Sequence, residues 1–175
     1  MGEELQERSS KTYREDRITM KTSILAIALY AIATTAAAQT RAESSSMALV
    51  GYNDLQGRSA YQPTIHQQDG RWIAYIGHHG GSDSDPKPLN PLTGQHEDNG
   101  TSIVDVTDPK HPRYLAHIPG EGKIPGAGGE TGGASMVRAC SGSDLPHADK
   151  NKFYLLRSFG NTAHEMWDVT DPARP

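Results

Sequence analysis

Eight histidines are the residues of this 175-residue chain best suited to chemistry. His78 and His79 close one apolar run, His96 precedes Glu97 and Asp98, and His164 stands before Glu165. Neutral imidazole binds zinc, copper or iron, so His78, His79, His96 and His164 are the candidate ligands of a divalent metal. The chemistry would be metal-assisted hydrolysis or oxidoreduction. Against it, the spacing matches no zinc signature, and His164-Glu165-Met166-Trp167 is not H-E-x-x-H. Neighbouring residues on a strand also point to opposite faces, so His78 and His79 share an ion only if the chain bends there.

Other chemical readings are weaker. Asp83, Asp85, Glu97 and Asp98 could offer oxygen to calcium, but no D-x-[DN]-x-[DN]-G loop is present, and a solvated charged loop is the simpler expectation. The glycine-rich run 126–133 lacks the G-K-[ST] ending of a phosphate cradle and is followed by a strand pattern, so it reads as an inter-blade loop. Ser135 lies outside any G-x-S-x-G elbow. Asn99-Gly100-Thr101 fits a glycosylation sequon, yet a tight turn explains the same residues. Cys140 is the single cysteine, so no internal disulfide is expected, and it reads as a small apolar packer.

The elements that position these residues are short. From Tyr61 onward no stretch keeps a 3.6-residue period, while several show β-branched and aromatic runs between turn signals. Strands are expected at 71–76, 101–106, 113–118, 135–140, 152–157 and 164–169, with turns at Asp69-Gly70, Asn99-Gly100 and Pro119-Gly120. Trp72, Tyr75, Phe153, Tyr154 and Trp167 are the expected aromatic core. With 18 Gly and 11 Pro and 35% hydrophobic residues, the chain is all-β and turn-rich, not a helical bundle.

One stretch occurs twice. Val104-Asp105-Val106-Thr107-Asp108-Pro109-Lys110-His111-Pro112 returns as Trp167-Asp168-Val169-Thr170-Asp171-Pro172-Ala173-Arg174-Pro175, identical at six of nine positions and offset by 63 residues. Asp and Val alternate across a strand, Thr-Asp ends it through an Asx-turn, and the prolines fix a tight turn and an extended exit. An aromatic strand ending in Gly precedes each copy, so each copy is expected as the third strand of a four-stranded unit. These two copies resemble the LVIVD repeat of exported bacterial and archaeal β-propeller proteins, over residues 61–175. The resemblance implies a propeller fold and a surface or periplasmic location, and no defined activity. It implies a first blade at 61–121 and an incomplete second at 122–175. A closed propeller has at least four blades, so an N-terminal fragment with open strand edges is expected.

Residues 1–19 mix both charges, and Met20-Lys21 then opens an apolar core of about ten residues, 24–33. Small residues follow, with Ala36-Ala37-Ala38 before Gln39, as in a signal peptide at 20–38. Translation is expected to start at Met20, with 1–19 an upstream extension, and residues 39–60 read as a linker. The apolar run is shorter than the ~20 residues of a spanning helix, so no stable membrane span is expected after cleavage. Net charge is −4, which offers nucleic acid no basic patch. The expected role is binding or scaffolding of an envelope protein or ligand; the alternative is a metal-dependent enzyme using the loop histidines.

Overall fold

The computed structural model describes residues 47–81, 86–122, 126 and 131–175. The expected signal peptide and upstream extension lie outside them, as do Asp83 and Asp85. Turn-punctuated β-branched runs give two antiparallel meanders. β1 (Tyr61–Gln68), β2 (Arg71–Gly77), β3 (Gly100–Asp105) and β4 (Arg113–Pro119) form a four-stranded sheet in that order. β5 (Val137–Ser141), β6 (Phe153–Phe159) and β7 (Ala163–Asp168) form a three-stranded one. All seven lie in the compact unit Leu49–Pro175. The described residues hold no α-helix, and none of their helices is long and apolar enough to cross a membrane.

β1 had no sequence signal of its own. It is polar, carries Pro63, and slips register between Tyr61 and Thr64, all features of an edge strand. Asp69 and Gly70, both at positive φ, join it to β2 by a two-residue turn that suits the twist of paired strands. Gly100 is glycine for another reason than the expected turn. It lies in extended β3, and an added Cβ would fall 2.1 Å from the Ile118 carbonyl oxygen. β5 begins at Val137, two residues later than expected, because Ala134 and Ser135 are spent crossing Gly77.

The two copies of the repeated stretch make the same bonds. Asp105 Oδ1 accepts from the Thr107 amide at 3.0 Å, and Asp168 Oδ1 from the Thr170 amide at 3.1 Å. Thr107 Oγ1 accepts from the Trp72 amide and Thr170 Oγ1 from the Phe153 amide, tying each third strand to the second. The Val106 and Val169 amides donate to the Trp72 and Phe153 carbonyls, both at 2.8 Å. Asp108 and Asp171 then close the turns onto the Lys110 and Ala173 amides. Side chain and spacing therefore fix the turn locally, before any tertiary contact.

One face of the first sheet packs on one face of the second. Ile73, Tyr75, Ile103, Ala116 and Ile118 meet Val137, Leu155 and Val169 in a single core, with Phe153 and Trp167 at its margin. Trp72 does not join them: it is 47% exposed, because it alternates onto the opposite side of β2 from Ile73. Gln68 Nε2 donates to the Val169 carbonyl, Thr64 Oγ1 to the Val137 carbonyl, and Tyr75 Oη to Gln68 Oε1, so three polar bonds accompany the apolar contact. The other face of the first sheet, with Ala74, Ile76 and Val104, is covered by Leu55 from the stretch expected to be a linker.

Candidate functional site

The densest polar constellation lies beneath that Leu55-covered face. Ala74, Ile76 and His78 alternate along and beyond β2, as do Ser102 and Val104 along β3, and register places His117 of β4 opposite Ser102. His78 Nδ1 donates to the Ser59 carbonyl, and His117 Nε2 donates to the Asp98 carbonyl at 3.0 Å. Both neutral rings therefore aim their remaining lone pair at one hydroxyl. Ser102 Oγ lies 2.8 Å from His78 Nε2 and 3.4 Å from His117 Nδ1. The Ser102 proton serves the nearer ring.

Arg58 closes this network. Its guanidinium donates to Asn99 Oδ1 at 2.7 Å and to the Glu97 and Pro88 carbonyls, pinning residues 86–99 over the sheet. Burial pushes His78 down to about 4, against the opposing hydrogen bond to Ser59 and with the charges of His117 and Arg58. Burial and the Arg58 charge likewise push His117 down to about 4. Both rings are uncharged at neutral pH. Serine between two neutral imidazoles has the composition of an activated nucleophile, but Ser102 and His78 are wholly buried. The arrangement instead cross-links β2, β3 and β4 to residues 58–59 and 98.

A second constellation joins the sheets. Arg157 of β6 is 1% exposed and donates to the Ile118 and Pro119 carbonyls at 2.8 and 2.6 Å. Its Nε and Nη2 also donate to Glu165 Oε2, and its guanidinium lies 5.4 Å from the Trp167 ring centroid. Trp167 Nε1 donates to the same carboxylate oxygen at 3.0 Å. Burial pushes the Glu165 carboxyl up, but the Trp167 and Arg157 donors outweigh it and hold it below the usual range.

The four histidines read as metal ligands are differently placed. His78 has both nitrogens engaged in the buried network. His79 pairs with Gly133 in an isolated bridge and lies 4.6 Å from the Tyr61 ring, with Nδ1 buried and unbonded. His96 is exposed and donates through Nδ1 to the Lys87 carbonyl. His164 sits on β7 opposite Ser158. Among the described residues, no group of three or more His, Cys, Asp or Glu is placed to hold a metal ion. The structure instead brings His78 to His117, their ring centroids 6.0 Å apart. Sequence reasoning passed over His117, Ser102 and Arg58. The signal was a polar residue at the next period-two position of an apolar strand face, as in Ala74, Ile76, His78.

The remaining candidates resolve simply. Glu97 accepts from Asn90 and Thr93 within its own loop, and Asp98 pairs with Lys87 at 2.7 Å. Asn99 donates to the His79 carbonyl while accepting from Arg58, and Thr101 is buried, so the sequon is consumed by structure. Gly133 takes a positive φ where the chain recrosses His78, and an added Cβ would meet the His78 carbonyl oxygen at 2.4 Å. Burial, then Asp144, raises the Cys140 thiol. Comparison of the chain with family models, curated proteins and solved structures gives no match.

Proposed function

We propose that this unit is part of an exported β-propeller of the LVIVD-repeat type, two successive sectors of it, and that it binds or scaffolds at the cell envelope without catalysing a reaction. One observation carries the reading. Two copies of the same strand and turn occupy the third position of two successive antiparallel meanders, which stack through a shared core. Propeller blades repeat in this way, each burying one face on the next. The far face of the second sheet supports the same reading, since Leu156 and Met166 stand 42% and 62% exposed there at the positions equivalent to buried Tyr75 and Ile103. A third sheet would cover them. Export rests on the residues 20–38 pattern.

Expression from Met20 in a bacterial host, with fractionation and N-terminal sequencing, tests export. Protein outside the cytoplasm beginning at Gln39 is expected; full-length cytoplasmic protein would contradict it. Elemental analysis of the same material tests the role. Folded, metal-free protein accords with a binding module, whereas stoichiometric zinc, copper or iron, lost in a His78→Ala/His164→Ala double variant, would favour an enzyme.

A further inference from the structure

We propose that the free edge of β7 is a binding site for an extended peptide of a partner polypeptide, added antiparallel as a fourth strand. The inference rests on the equivalence of the two sheets that the proposed function also uses, and not on export or on blade number. In the first sheet the third strand is paired on both sides: β3 bonds β2 on one side and β4 on the other. In the second sheet β7 pairs only with β6.

Antiparallel bonding alternates, so the backbone groups of β7 that face the open edge can be named. The Val169 amide donates to Phe153, across to β6. Trp167 and Glu165, two and four residues earlier, bond the same way. The N–H and C=O groups of His164, Met166 and Asp168 therefore point outward. Their equivalents in β3 are Thr101, Ile103 and Asp105, which pair with Ile118, Ala116 and Arg113 of β4.

Beside this edge lies an open cleft of about 340 Å³ between the sheets, lined by Leu115, Ala116 and Ile118 of β4 and by Trp167 and Pro175. On a strand added to β7, the residues opposite Trp167 and Glu165 face the same side as those two side chains, toward this cleft. Main-chain bonds would supply affinity and the cleft would select apolar residues at alternate positions, the usual division of labour in strand addition. Every strand among the described residues is already paired within its own sheet, so the occupant comes from outside them. Its chemistry is that of β4, Arg-Tyr-Leu-Ala-His-Ile-Pro.

The test is amide hydrogen exchange by NMR on the full chain, with a synthetic peptide of the β4 sequence titrated to millimolar concentration. The controls are a scrambled peptide and one N-methylated at alternate positions. Exchange at His164, Met166 and Asp168 should slow at least tenfold with the peptide and stay unchanged with both controls. A second protein, with the same seven residues appended after Pro175, should show this protection without added peptide. Unprotected edge amides in both experiments, with Glu165 and Trp167 protected throughout, would overturn the site while leaving the two-sheet reading intact. Protection from the appended strand alone would overturn the partner claim in favour of a covalent continuation. Fast exchange at Glu165 and Trp167 in the free chain would overturn the second sheet itself, and both readings with it.

Discussion

β3 and β7 carry the same repeated stretch and end in the same turn, yet β3 is buried along its whole length and β7 is half exposed at best. The four-stranded sheet is covered on both faces, by the second sheet and by residues 55–58 and 86–99. The three-stranded sheet has one covered face. The repeated residues therefore decide the turn and the strand, while the neighbour decides what the strand contributes to stability.

The contrast is sharpest under acid. His78 and His117 belong to the first sheet, and their folded-state values near 4 lie below the ordinary 6.5. Below pH 6.5 the unfolded chain takes up protons that the folded one refuses, so stability is fully present above that pH and falls as pH drops toward 4. The loss is roughly 3 kcal/mol for each histidine. Urea unfolding between pH 7 and 4 should show it, and a His117→Gln variant should flatten the profile; an unchanged profile would break the account of the network.

The contact between the sheets comes next. Replacing Arg157 with Met leaves the Ile118 and Pro119 carbonyls and the Glu165 carboxylate without their donor, at a cost of about 3–5 kcal/mol. Thermal unfolding reads this directly, and a loss below 1 kcal/mol would mean that the guanidinium does not join the sheets. Equivalent positions then separate the two third strands. Ile103→Ala should cost about 2–5 kcal/mol and Met166→Ala less than about 0.5 kcal/mol; equal costs would erase the comparison. The smallest effect concerns the paired aspartates. Asp105, nearly buried beside Arg71 and Arg113, should lose about 1–3 kcal/mol as Asn. Asp168, held near 2 chiefly by exposed Lys152, should lose at most about 1 kcal/mol.

The strands and turns were legible because their signals are local. Thr-Asp-Pro closes its own turn through side-chain bonds, and β-branched runs such as Ile73–Ile76 need only a sheet to enter. What the sequence hid depends on distant partners. β1 is polar because it is an edge, and nothing nearby in the chain marks Gln68 as the donor to Val169. Arg58 and Arg157 read as surface charge, yet each is buried because carbonyls from another segment await it. The four histidines read as ligands share a residue type and not a location, whereas His117 joined His78 through strand register, which no short motif records.

Nuclear Overhauser contacts between the sheets test the central claim that the two meanders stack as successive, equivalent layers. The account predicts contacts from Val137 and Leu155 to Ile73, Ile103 and Ile118, alongside the cross-strand contacts within each sheet. A spectrum that keeps the contacts within each sheet but lacks any between them would contradict it.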